Sequence, residues 1–252
     1  MIKPRSFAHS VAWNLTGAGI PLAFALFAIP TLLTGYGNER FGFLTIVWSL
    51  IGYFSIFDFG IGRALTKLVS ERLGGGKGEE IPGLTLTALS TMFLLGILAC
   101  LLLMVVAPGL TQLLKLEPDL YRESVASLRI LALGIPFVIA SAGLIGLLEA
   151  HAKFQSINTI RLLMGLMNFA APLIMLTWSQ SLVPATIALA ASRAITTGLY
   201  FLAARRLGVF GGPTAQFRRG HLKELLGFGG WVAAEVATVA PRTSRAMART
   251  AS

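Results

Sequence analysis

Residues 83–108 read GLTLTALSTMFLLGILACLLLMVVAP, without one charged side chain. A helix of that length covers about 39 Å, more than the ~30 Å hydrocarbon core of a bilayer. Several apolar runs of this kind occur along the chain, and only 13% of the 252 residues are charged, about half the share usual in soluble domains. Backbone groups in lipid must satisfy one another, which leaves helices or a closed barrel. Strand-period alternation does not recur at ten-residue spacing, so a barrel is unsupported. The chain reads as all-α, a polytopic membrane helix bundle.

Six spans are expected, at roughly 10–33, 41–62, 83–108, 127–150, 159–178 and 183–204. Together they make residues 1–204 a six-helix transmembrane lobe. The first contains Pro21 and Pro30 beside Gly17 and Gly19, so a bent or broken helix is expected there. The first span is too long for a signal-peptide core and no convincing cleavage site follows it, so it is read as retained.

Basic residues set the orientation. With the N-terminus in the cytoplasm, Lys3, Arg5, Arg63, Lys67, Arg72, Lys77, Lys153, Arg161, Arg205, Arg206, Arg218, Arg219 and Lys223 lie inside, and only Arg40, Lys115, Arg122 and Arg129 outside. That bias predicts a cytoplasmic N-terminus. It also accounts for the net charge of +10 without a nucleic-acid partner.

The stretch FSIFDFGIGRALTKLVSERLGGG, residues 54–76, carries charge out of the second span. A single helix from Phe41 to Leu73 would run about 50 Å and emerge from the membrane. Arg63, Lys67 and Glu71 would form one stripe on its end, and Gly74 to Gly76 would stop it. Asp58 would lie about a turn inside the interface, five residues from Arg63, so its partner is expected on another helix. In the outer loop, GLTQLLKLEPDLYRES could hold a short interfacial helix. Residues 205–231 read as a basic, amphipathic cytoplasmic linker with a surface-lying helix, leading into the start of a seventh span. The last 21 residues, 232–252, contain no Leu, Ile, Phe or Gly. That composition fits a disordered polar tail, or a chain cut or shifted in reading frame near residue 232.

Together, four features carry a resemblance. Asn14, Gly17 and Pro21 are followed by GNERFG and then by FDFGIGRALTK, and GLLEAHAKFQSINTIR closes the fourth span. Over about residues 8–231 the chain resembles bacterial polysaccharide (O-antigen) flippases of the multidrug/oligosaccharidyl-lipid/polysaccharide exporter superfamily, in the N-terminal lobe only. The resemblance implies two six-helix lobes that enclose a cavity opening alternately to each side of the inner membrane. It implies an undecaprenyl-pyrophosphate-linked oligosaccharide as cargo, with membrane lipid and polysaccharide-assembly proteins as partners. It names no coupling ion and no cofactor. With only one lobe present, this chain alone is not expected to transport.

Arg193 is the most informative side chain. Ten residues precede it from Val183 and eleven follow to Ala204, so it sits near mid-membrane, where a guanidinium is expensive. It is expected either to hold helices together through a carboxylate or carbonyl, or to line a cationic lumen that meets an anionic substrate. Asp58, Asn14 and Asn168 are the other substrate-pathway candidates. Against them stand a structural ion pair for Asp58 and interhelical hydrogen bonds for the asparagines. Arg63, Lys67, Glu149, Lys153 and Arg161 are candidates for a cytoplasmic gate or headgroup contact, or else a solvated interfacial cluster. His9, His151, His221 and the lone Cys100 show no metal-ligand spacing, and no catalytic constellation emerges, so the chain is read as no enzyme. Two other classes remain: a non-transporting membrane scaffold or gene remnant, and a drug/cation antiporter. A basic rather than acidic midplane charge argues against the antiporter.

Overall fold

A computed structural model describes residues 4–54, 60–114, 116–211 and 216–228, with side chains described from residue 19 onward except at residue 119. Asn14's side chain, Asp58, the start of a seventh span and the tail at 232–252 therefore lie outside the described residues.

The described residues are helical and include no strand. Helix α1 runs Pro4–Phe54, 51 residues in two arms that meet at Gly37, about 75 Å if it were straight. It is not straight. Pro21 and Ala25 line the same cavity as Trp48 and Gly52, although Pro21 and Gly52 would stand ~45 Å apart on a straight helix. The chain doubles back at Gly37, whose φ of 78° and ψ of 168° are non-helical and lie in territory glycine alone enters cheaply. Pro21 and Pro30 stay within helical backbone, so the helix is not broken at either, and the described break falls at Gly37. Thr31 and Thr34 hydroxyls donate to Phe27 O and Pro30 O beside the second proline.

A single helix from Phe41 to Leu73 is also corrected. Helix α1 ends at Phe54, and α2 (Ile61–Gly74) begins separately behind Gly60, which has φ 72°. Left-handed Gly60 cannot continue a right-handed helix. Helix α2 is amphipathic, burying Ile61, Leu65, Leu68 and Val69 against the bundle. Its end does fall in the glycine run, where Gly75 N–H donates to Glu71 O.

After a 3-10 turn at Gly78–Glu80 come α3 (Ile81–Leu113), α4 (Pro118–Ala132), α5 (Ile135–Ala150), α6 (Phe154–Leu176) and α7 (Leu182–Arg205). The fourth span is therefore two helices rather than one. Pro136 offers no N–H to the Ala132 carbonyl and its ring crowds it. The loop helix expected in GLTQLLKLEPDLYRES is instead the end of α3 and the start of α4. Five helical runs are long and apolar enough to cross a membrane, where the sequence led to six. The difference lies in α1, whose two arms on either side of Gly37 form a single run from Gly19 to Phe54.

Helix α3 packs on α5, α6 on α7 and on α1, and α2 on α5. Two apolar cores result. One, around Leu65, Leu84, Leu147 and Tyr200, fills the end near α2; the other, around Leu32, Phe43, Leu128 and Leu182, fills the end near Gly37. Close backbone contact needs glycine at Gly146, where a Cβ would stand 2.5 Å from Gly62 O. Helix α3 leaves Leu94, Leu98, Leu102 and Val105 exposed on its outer side, as a lipid-facing surface should.

Candidate functional site: a cavity at mid-bundle

Helix α7 begins cleanly. Ser181 Oγ accepts from Val183 N–H, and the N–H of Leu182 donates to Glu123 Oε1. From that fixed start Arg193 is eleven residues along the 24-residue helix, so its Cα stands about 17 Å from either end. Its side chain is 7% exposed. It borders a cavity of about 600 Å³ between both arms of α1, α5, α6 and α7.

The lining is mostly apolar: Leu22, Ile51, Val138, Ile145, Met164 and Phe169 supply much of it. Trp48 stands on its wall, held edge-on against Phe41 at 6.2 Å and Phe169 at 5.1 Å between ring centres. Its indole Nε1 is buried and has no partner among the described residues. Gly165 admits Pro21, which a Cβ would meet at 2.7 Å, so α1 and α6 meet closely along this wall.

Arg193 Nη2 donates to Asn168 Oδ1 at 2.6 Å. The partner is a neutral amide, and Arg193 makes no ion pair among the described residues. Its Nε is buried without a partner there. A guanidinium carries five N–H donors and no acceptor. One amide oxygen leaves the charge uncompensated, in surroundings where an unpaired charge is costly. Nearby hydroxyls do not offset it. Thr196 donates to Ser192 O, and Thr197 donates to Arg193 O at 2.8 Å and across to Phe137 O on α5 at 2.9 Å. Two of the four substrate-pathway candidates, Arg193 and Asn168, are therefore brought together at the cavity.

The other candidate cluster does not assemble. Arg63, Lys153 and Arg161 are exposed and Glu149 half-buried, and none of the four makes an ion pair among the described residues. Lys67 approaches Glu71 at 3.7 Å and stands 4.1 Å over the Phe228 ring. The buried cation at this end is Arg72, which in the sequence counts only as one of the loop charges. Its Nε meets Glu80 Oε2 at 3.0 Å and its Nη2 meets Glu224 Oε2 at 2.7 Å. Burial would lower the Arg72 pKa, but hydrogen bonds and attraction from Glu224 and then Glu80 outweigh it and hold the value above the ordinary one. At the opposite end Arg40 Nε meets Glu123 Oε2 at 3.0 Å. The carboxylate partners of Arg72 lie eight and 152 positions away, a pairing no local spacing discloses.

The MatE family model matches residues 22–171. The chain belongs to the MatE family. It is 26% identical over 227 residues to the "Putative O-antigen transporter" of Shigella flexneri, covering 90% of this chain and 53% of that protein. It is 29% identical over 103 residues to the "Putative O-antigen export protein" of Yersinia pseudotuberculosis, covering 41% of this chain and 23% of that one. The fold matches a crystal structure of MATE in complex with MaD3S with a TM-score of 0.68 and 16% identity, over 85% of this chain and 49% of that one. This MatE chain thus spans about half the length of the first relative it matches. The membrane-length helices and the family together make it a multi-pass membrane protein.

Proposed function

We propose that this chain forms the first lobe of an exporter of undecaprenyl-pyrophosphate-linked sugar units, working in the bacterial inner membrane with the α2 end in the cytoplasm. The observation that carries the proposal is Arg193, a cation at mid-bundle with an amide for its only described side-chain partner, bordering a largely apolar cavity. The free capacity there is donor capacity, which suits a pyrophosphate. The apolar walls suit the neighbouring part of an amphiphile. The names of the Shigella and Yersinia relatives support the same cargo class.

In this account the cavity meets cargo from one side of the membrane and releases it to the other by alternating access, while the lipid tail stays in the bilayer. Arg193 carries the electrostatic attraction and Asn168 orients its fork. The alternative cargo class, organic cations, would call for a carboxylate on the wall, and the described lining residues include none.

A binding measurement distinguishes the readings. The purified chain in lipid nanodiscs is titrated with a short-chain isoprenyl pyrophosphate and, separately, with a quaternary ammonium dye. Saturable binding of the pyrophosphate, weakened at least tenfold by Arg193→Ala, is the expected result. Binding of the dye alone would favour a cation exporter, and binding of neither would favour a non-transporting scaffold.

A further inference from the structure

The segment after α7 is docked on the bundle in a way that the cavity does not explain. Residues 219–228 are helical, and Arg218 O accepts from Leu222 N–H at 3.2 Å at its start. Leu225 is fully buried in the core at this end. Glu224 is held by Arg72, and Phe228 lies under Lys67. Arg218 N–H donates to Thr87 Oγ1 at 3.2 Å, and Thr87 in turn donates to Gly83 O.

That last contact fixes where the segment lies along α3. Thr87 lies seven residues beyond Glu80, the last charged residue before the apolar run of α3. On a helix that is about 10 Å, which puts Thr87 in the first turns of the apolar run that crosses the membrane. The backbone of Arg218 is therefore held against the flank of α3, beside the start of its apolar run. Arg219, Lys223 and Leu226 then follow at helical spacing along one stripe, opposite the buried Leu225. All three are exposed. Phe217 and Leu226 are 51% and 46% exposed, and Arg218, Arg219 and Lys223 make no ion pair among the described residues. Exposed apolar side chains among cations, beside the end of a membrane-length helix, form the pattern of an interfacial membrane contact.

The geometry points to the segment Phe217–Leu226 as a docking surface for anionic phospholipid headgroups. Phe217 and Leu226 enter the acyl boundary, and Arg218, Arg219 and Lys223 take the phosphates. Arg72 is a positioning residue here, because it ties Glu224 down and turns the basic stripe outward. The inference is independent of the cavity's cargo.

The test uses the full chain reconstituted in phosphatidylcholine vesicles with trace spin-labelled phosphatidylglycerol or spin-labelled phosphatidylcholine. The motionally restricted fraction gives the preference of the protein surface for the anionic lipid. Each basic side chain near a membrane surface contributes roughly a fivefold attraction to anionic lipid. Arg218→Gln/Arg219→Gln/Lys223→Gln should abolish most of the preference. Arg122→Gln, an exposed residue at the other end, should leave it. Arg218→Lys/Arg219→Lys, which retains charge, should keep most of it and shows that loss in the Gln variant is not misfolding. An unchanged preference in the triple Gln variant, or an equal loss in Arg122→Gln, would overturn the inference. So would inorganic phosphate erasing the preference beyond chloride of matched ionic strength, since the site would then take the free anion rather than a lipid.

Discussion

Asn168 Oδ1 accepts a hydrogen bond of 2.6 Å from Arg193 Nη2, joining the middle of α6 to the middle of α7 beside the cavity. The amide orients the guanidinium without neutralising it. Asn168→Asp would place a carboxylate at the same spot and pair the charge internally. We expect that variant to unfold at or above the wild-type temperature while binding an isoprenyl pyrophosphate at least tenfold more weakly. Asn168→Ala should instead destabilise by ~1.5–3 kcal/mol, as loss of a hydrogen bond to a charged group does. Thermal unfolding in detergent and a titration on the same samples check both.

Two glycines should respond oppositely to the same change. A Cβ at Gly146 would stand 2.5 Å from Gly62 O and 2.9 Å from Thr66 Oγ1. The nearer atom is backbone and cannot rotate away, so Gly146→Ala should destabilise by ~1–3 kcal/mol. Gly198, within α7, has nothing within 4 Å of a Cβ. There Gly198→Ala should stabilise by ~0.5–1 kcal/mol through helix propensity alone. Unfolding midpoints of the two variants test the α2–α5 packing directly.

The Arg72 clasp should resist alkali. Its pKa is raised above the ordinary guanidinium value, so its contribution is fully present below that value and is lost only as pH climbs through the still higher folded one. Between pH 6 and 10 the docking of residues 219–228 should not loosen on account of Arg72. Arg72→Met should raise trypsin cleavage at Arg218, Arg219 or Lys223 by roughly fivefold, ~1 kcal/mol, a figure held low because Glu80 and Glu224 are 43% and 41% exposed. Arg72→Glu/Glu224→Arg should recover part of the protection. Timed proteolysis across that pH range reads all three.

Much of the bundle was legible because a membrane leaves few alternatives. A run such as 83–108 can do little but cross. Arg193 was legible for the same reason, being a lone charge at the centre of an apolar span. Its pairing with Asn168 was within reach, since the short WSQSL turn makes α6 and α7 a hairpin and the two residues lie at comparable distances from it. The backbone reversals were less legible. The expected spans at 10–33 and 41–62 left a gap that contains Gly37, but nothing in hydropathy shows that the reversal turns on that one residue. Gly60 interrupts what hydropathy and charge spacing presented as one helix, because left-handed backbone leaves no mark on either. Arg72 was hidden for a different reason: Glu224 lies 152 positions away and meets it only through the tertiary fold.

Orientation rests on the distribution of basic residues and has its own test. Reporter fusions after Lys77, Lys153 and Arg206 should report cytoplasm, and those near Asn38, Glu117 and Gln180 the opposite side. A periplasmic signal at Lys77 would reverse the assignment of the α2 end.

The central claim is that Arg193 serves a passing anion. The direct measurement joins this chain to the second half of the Shigella flexneri relative and expresses the product in a strain lacking its own O-antigen exporter. Surface polysaccharide and membrane abundance are then scored together for wild type, Arg193→Ala and Arg193→Lys. Abundance should be near normal throughout, with most surface polysaccharide lost in the Ala variant and partial activity kept in the Lys variant, which retains the charge but not the planar fork. Undiminished polysaccharide in Arg193→Ala at normal abundance would contradict the claim.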